Sequence, residues 1–324
     1  MRLPGPTHPY GFRPGRSQHQ ALDALYTGLL TRKVNWVLDL DIKSFFDGIS
    51  HEWLVKLVEH RIADRRVVRL IQKWLNAGVL EEGAVTTPEA GTPQGGVVSP
   101  LLANIVLHYV LDEWFEKDVR PRLKGEAFLI RYADDFVIGV AREDDARRIM
   151  KVLPQRMSKY GLTVHPEKTR LIRFEPPEAA GSEPVEAGTP APQTFDFLGF
   201  THYWGRSQRG AWVVKRKTAK SRLKRAFAAL SDWCRENLHL PIREQHQKLA
   251  EKLQGHYGYY GIIGNYFSLQ KFLEGTRRIW KRWLSRRNRD SPMPWSEFLR
   301  LERCYTLPRA RVVHGLSRGA AKSC

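Results

Sequence analysis

The chain of 324 residues holds only three cysteines, Cys234, Cys304 and Cys324. They lie far apart with no paired spacing, so neither a disulfide framework nor a cysteine zinc site can be read from them, and thiol catalysis is a weak idea. Long apolar runs are missing too. The greasiest stretch, Val97 to Leu111, is too short to cross a bilayer and carries Asn104 and His108. The opening MRLPGPTHPYGFRPGRS has no apolar core behind its first basic residue, which argues against a secretory leader. A soluble, intracellular protein with no membrane partner is expected.

Acidic residues are also in deficit: 34 Asp+Glu stand against 53 Lys+Arg, a net charge of +19. A polyanion is therefore the expected partner, with nucleic acid and anionic membrane leading. At 42% hydrophobic with ten tryptophans, the chain can bury a real core and is no disordered basic tail. The excess is segregated. Residues 1–200 carry 26 basic and 26 acidic side chains, whereas residues 201–324 carry 27 and 8. Such a split suggests a neutral body joined to a basic clamp that neutralises phosphates.

Hydrophobic periodicity gives an α+β reading. VNWVLDLDIKSFFD begins as a β-rich run, and the segment after it has apolar residues at helical spacing, Leu54, Leu57, Val58, Ile62, Val67, Leu70, Ile71 and Trp74. FLIRYADDFVIGV is two apolar β runs around a short polar centre, the pattern of a hairpin. DDARRIMKVLPQRMSKYGL predicts an amphipathic helix ending at Gly161. The proline-rich segment 175–193 reads as an exposed loop, because TFDFLGFTHYW after it resumes strand-like alternation. The domain boundary is expected near residue 215, giving domains 1–214 and 215–324. From Thr218 on the period is helical, with breaks at Pro241 and the Gly261–Gly264 turn. An antiparallel sheet packed on helices, then a basic helical bundle, is the predicted architecture.

The chemistry is concentrated at Asp134-Asp135. A lone pair of aspartates is more often a solvated turn, but here it sits at a hairpin tip between apolar strands, where adjacent carboxylates repel unless cations neutralise them. Upstream, LDLDIKSFFD puts Asp41 at the end of an apolar strand. If that strand lies beside the hairpin, Asp41 and Asp134 can share divalent ions, and hard oxygen ligands favour Mg²⁺. Two such ions roughly 3.5–4 Å apart serve an in-line displacement, the chemistry of a nucleotide polymerase. Between them, AGTPQGGVVSPLLANI offers glycines that let backbone approach a ligand, then a helix opening near Ser99-Pro100. Arg13 and Arg16, in a Pro-Gly loop, are candidates for RNA phosphates. Near the C-terminus, Arg277, Arg278, Lys281, Arg282, Arg286 and Arg287 interleave with Trp280 and Trp283, so one helix face can pack while others grip phosphate. The tryptophans themselves are more often core than base-stacking residues.

In order, LDLDIKSFFD, GTPQGGVVSPLLAN, YADD, GLTVHPEKT and FLGF resemble the palm of group II intron reverse transcriptases, and YGFRPGRSQHQAL resembles the segment before their first catalytic strand. Residues 218–313 resemble the family's maturase-specific thumb, domain X. The resemblance implies a reverse-transcriptase palm followed by a helical thumb. Asp41, Asp134 and Asp135 would be the catalytic metal-binding carboxylates for two Mg²⁺ ions, with the Ile42 carbonyl as an extra ligand. Phe46 would sit under the sugar of the incoming dNTP, Gln94 and Gly95 would contact the nascent pair and template, and Lys168 would lie near the nucleotide phosphates. The implied partners are group II intron RNA and an RNA template with a DNA primer, in a bacterial cytoplasm. Family members carry about a hundred further residues ahead of YGFRPGRS, forming the fingers; their lack here predicts a truncated chain, a misplaced start or a separate fingers polypeptide, and a homodimer is left open. No His/Asn-rich or paired-Cys segment follows LPRARVVHGLSRGAAKSC, so no nuclease domain is expected. An RNA-directed DNA polymerase and intron maturase is the leading expectation, and a polymerase-inactive, intron RNA-binding remnant the alternative.

Overall fold

The computed structural model describes residues 9–43, 45–76, 79–81, 84–86, 98–177, 193–287 and 292–315. Most of the Pro-rich loop, residues 178–192, lies outside them. Two compact units are present: Met1–Leu198 with Tyr203–Val214, and Gly199–His202 with Lys215–Ser317.

In the first unit, Ser17 caps α1 (Gln18–Thr31) through a reciprocal capping box with Gln20. The chain then enters β1 (Trp36–Leu40) and β2 (Ile42–Lys43), followed by α2 (Phe45–Gly48), α3 (His51–Glu59) and α4 (Arg65–Asn76). A small pair, β3 (Val79–Glu81) and β4 (Ala84–Thr86), precedes α5 (Ser99–Leu107), which runs on through wider π turns at His108–Glu113 and Phe115–Val119. The hairpin expected at YADD is β5 (Ala127–Tyr132) and β6 (Asp135–Val140). Next come α6 (Glu143–Ser158), β7 (Thr163–Val164) and β8 (Arg170–Arg173). Glu143, Asp144 and Asp145 fill the first turn of α6, where the helix dipole favours negative charge, and Gly161, at φ 81°, turns the chain out beyond its end.

These strands form an antiparallel sheet in the order β5–β6–β1–β8, with β2 paired to β7 beside it. Leu38, Phe136, Ile138, Val110, Phe115, Ile149 and Leu153 bury its helix-covered face. The helix expected through Val67, Leu70, Ile71 and Trp74 is α4, and its apolar residues divide between two faces. Val67, Leu70 and Trp74 are exposed at 39%, 45% and 43%, and the core side is Val68, Ile71 and Leu75. The helix carries two apolar stripes, and periodicity alone does not say which one enters the core.

The strands β9 (Phe195–Phe197), β10 (Phe200–Arg206) and β11 (Trp212–Thr218) make a further sheet, and the division between the units passes through the β10–β11 hairpin. In the second unit, α7 (Lys220–Glu236), α8 (Ile242–Tyr260), α9 (Tyr266–Leu284) and α10 (Trp295–Cys304) pack around Leu249, Leu253, Tyr257, Trp280 and Phe298. Asn265, 1% exposed, ties the turn before α9 to the end of β11: its Oδ1 accepts the Thr218 N–H at 2.8 Å and its amide donates to Thr218 Oγ1 at 2.9 Å. Among the described residues no helix is long and apolar enough to cross a membrane.

Candidate active site and basic face

The site begins with strand register. Leu40 pairs with Phe136 across β1 and β6, and Tyr132 pairs with Asp135 across the hairpin. The exit of β1 and the entry of β6 therefore lie side by side, which brings Asp41, one residue past β1, to Asp134 and Asp135 at the hairpin turn. The turn has two corner residues, Ala133 and Asp134, and Ala133 is left-handed at φ 57°, a corner where glycine is usual.

Electrostatics at this end of the sheet are those of crowded carboxylates. Asp135 keeps an open edge, yet the protein packed around it, reinforced by the negative charges of Asp39, Asp134 and Asp41, pushes its pKa up to about 7 against the opposing Leu198 N–H, which reaches Oδ2 at 3.4 Å. A raised folded-state pKa means that this carboxylate favours the fold most when protonated. That contribution is lost as pH climbs from 3.8 through about 7, and a bound cation would restore it. Burial likewise raises Asp39, even though Arg170 donates to its Oδ2 at 2.7 Å. Lys168 donates to Asp41 Oδ2 at 2.7 Å.

Lys168, expected near the nucleotide phosphates, thus rests on the Asp41 carboxylate, with its side chain 62% exposed. Ile42 is buried in the β2–β7 ladder, opposite Val164. Phe46 lies in α2, with its side chain outside the described residues, and Gln94 and Gly95 lie outside them altogether. Among the described residues no three His, Cys, Asp or Glu side chains close into a metal cage. The donor set still fits Mg²⁺: hard carboxylate oxygens on Asp41, Asp134 and Asp135, with negative charge in excess of nearby cations.

Arg13 is exposed and lines a cavity of about 360 Å³ with Phe12, Arg61, Leu101, His108 and Tyr109. Arg16 is half-buried over the Tyr10 ring, 5.4 Å from its centroid. In the second unit Arg278, Lys281, Arg282 and Arg286 line a cavity of about 870 Å³ at the end of α9, with Trp283 and Trp295. Arg286 lies 4.6 Å from the Trp283 ring centre and Lys281 lies 5.1 Å from that of Trp295, so the cations stand on aromatic faces. Arg277 is different. It is half-buried and bound to Glu302 and Glu274, which makes it a strut between α9 and α10 instead of a phosphate ligand. Arg287 is exposed and donates to the Leu240 carbonyl. Trp280 is fully buried. Asp39, Arg170 and Leu198 were not singled out by sequence; the signal for Asp39 was its two-residue spacing from Asp41, which puts both on one strand face.

Comparison with known proteins places these residues in context. A family model described as reverse transcriptase (RNA-dependent DNA polymerase) matches residues 4–202. An uncharacterized 91 kDa protein in the cob intron of Schizosaccharomyces pombe is 32% identical over 51% of this chain and 26% of its own length. The group II intron-encoded protein LtrA of Lactococcus lactis subsp. cremoris is 44% identical over 31% of this chain and 16% of its own. The chain therefore spans about a quarter or less of the length of these relatives. Among solved structures, telomerase from Candida albicans in complex with a fragment of telomeric RNA aligns at a TM-score of 0.45 and 14% identity, covering 89% of this chain and 50% of that one. With a match to well over half of its length, the chain belongs to the reverse transcriptase family.

Proposed function

We propose that the chain is the palm and thumb of a group II intron-encoded reverse transcriptase and maturase, an RNA-directed DNA polymerase that copies intron RNA during mobility and aids its splicing. The observation that carries this reading is the convergence of Asp41 with the Asp134-Asp135 turn at one end of the β1–β6 ladder. Asp41, Asp134, Asp135 and the Ile42 carbonyl would hold two Mg²⁺ ions, which when bound activate the primer hydroxyl and stabilise the leaving pyrophosphate. Lys168 is free to exchange Asp41 for a dNTP phosphate. Phe46 would sit under the sugar, and Gln94 and Gly95 against the nascent pair. Residues 1–214 would form the palm, and the basic surface of 215–324 would hold the phosphates of intron RNA or of the template with its DNA primer. Arg13 and Arg16 would add contacts from the first unit. The setting proposed is the cytoplasm of a bacterium, with a second copy of the chain and a separate fingers polypeptide as further candidate partners.

A second reading has its own observation. The Lys168–Asp41 pair, in which a lysine neutralises a carboxylate that would otherwise face a cation, suits a chain that binds intron RNA without making DNA. Primer extension on an RNA template with Mg²⁺ and dNTPs distinguishes the two. In the first reading the wild type extends, and Asp134→Ala loses about three decades of rate, the several kcal/mol of charge stabilisation that metal ions supply, with intron-RNA affinity unchanged. No extension by either chain, alongside tight RNA binding by both, would overturn the polymerase assignment.

A further inference from the structure

We infer that Arg131 is the positioning residue of the catalytic turn: clamped by Asp112, its guanidinium holds the backbone carbonyl of Ala133 and so fixes where Asp134 and Asp135 point. The inference rests on the polymerase reading above and adds to it a residue that touches neither metal nor nucleotide.

Arg131 lies in β5, two residues before the turn corner, and is 1% exposed. A guanidinium so deep must have its donors met. Nε donates to Asp112 Oδ1 at 2.7 Å and Nη2 to Oδ2 at 2.5 Å, a two-pronged pair that already balances the charge. The remaining nitrogen, Nη1, is spent on geometry: it donates to Ala133 O at 2.8 Å and to Asn104 Oδ1 at 2.9 Å. Buried ion pairs of this kind are seldom kept for stability, because well-packed apolar side chains serve as well or better, so the carbonyl contact is the part that needs a reason.

That carbonyl belongs to a residue under strain. Ala133 sits at φ 57°, which costs an alanine about 1 kcal/mol or more and persists only where the surroundings dictate it. Here they do so from three sides. Arg131 takes the carbonyl. Gly11 presses on the amide, so closely that a Cβ there would lie 2.4 Å from Ala133 N. Asn104 links the two by donating from Nδ2 to Gly11 O at 2.8 Å, and Tyr10 N donates to Arg131 O at 2.8 Å.

The helix behind the turn is shaped to the same end. Asn104 and Asp112 are eight residues apart, and an α-helix turning about 100° per residue would leave them about 80° out of phase. The π turn at His108–Glu113 rotates less per residue and brings both toward the same guanidinium. A misplacement of about 1 Å at a reacting centre can cost about a hundredfold, so a brace on the turn is a brace on rate.

Two variants of the full chain test this. Arg131→Lys keeps the charge but not the fork. Arg131→Met with Asp112→Leu removes both charges, so that stability returns without the carbonyl contact. Expected in both is a primer-extension kcat lowered about tenfold or more with the dNTP KM within about twofold of wild type, and amide hydrogen exchange about tenfold faster at residues 132–136 than in the rest of the sheet. A double variant that regains thermal stability together with wild-type kcat and turn protection would overturn the inference. Should the double variant not fold, Arg131→Lys decides by the same measurements. If the wild type makes no DNA the polymerase reading fails, and exchange at the turn alone then decides the brace: protection unchanged in folded Arg131→Lys rejects it.

Discussion

In the sheet unit the charged groups near the site are paired across long stretches of chain, Arg131 with Asp112, Arg170 with Asp39 and Lys168 with Asp41. In the helical unit Arg278, Arg282 and Arg286 stand at the surface around a cavity, with aromatic rings for neighbours. The first arrangement fixes geometry and leaves the unit with little net charge to attract a polyanion. The second leaves charge available and fixes little. Catalysis and RNA affinity should therefore separate under mutation, each following its own unit.

The largest expected effect tests whether the units stand apart in stability. Trp280 is fully buried, its Nε1 donates to Gln245 Oε1 at 3.0 Å, and its ring meets Phe298 edge-on at 5.7 Å. Trp280→Ala should cost about 3–5 kcal/mol, and hydrogen exchange should report the loss in residues 220–304 while β1, β5 and β6 keep their protection. Equal loss in both places would dissolve the comparison. Next in size, replacing Arg278, Arg282 and Arg286 by glutamine should lower the log–log salt slope of RNA binding by about two, since each phosphate contact contributes about 0.7–0.9. The same exchange at Arg65, Arg66 and Arg69 on α4 should leave the slope alone; a matching drop there would put the binding surface in the wrong unit.

A smaller effect follows pH. Burial of His256, stacked on Phe272 at 3.8 Å, lowers its pKa to about 4 from 6.5. The imidazole is neutral in the fold and readily protonated when unfolded, so its contribution is complete above pH 6.5 and is lost as pH falls through about 4. Urea melts of the helical unit between those limits should lose about 2 kcal/mol, and His256→Phe should flatten the dependence.

Much of this was legible in the sequence where a signal was local. The hairpin announced itself because apolar β runs flank Asp134-Asp135, and the α+β plan followed from changes of period. What was hidden lay in pairings between remote residues. Arg131 is one cation in an apolar strand, and its partner sits in a π stretch whose phase no helical template predicts. Lys168 meets Asp41 across 127 positions, so its role could be inferred only from resemblance. Arg277 looked like its neighbours in a basic run until Glu302 was brought to it by α10. On α4 two apolar stripes compete, and only the packed core chooses Val68, Ile71 and Leu75.

The close approach of Gly11 to Ala133 carries a consequence for the order of folding. A two-residue hairpin closes within about microseconds because its strands are neighbours in sequence. The Asn104–Gly11 bond must wait for a loop of 93 positions to be drawn shut, and long closures come late. The Asp134-Asp135 turn is therefore shaped early and tightened last. A chain caught before that final closure would own every strand of its sheet and still hold its aspartates slack.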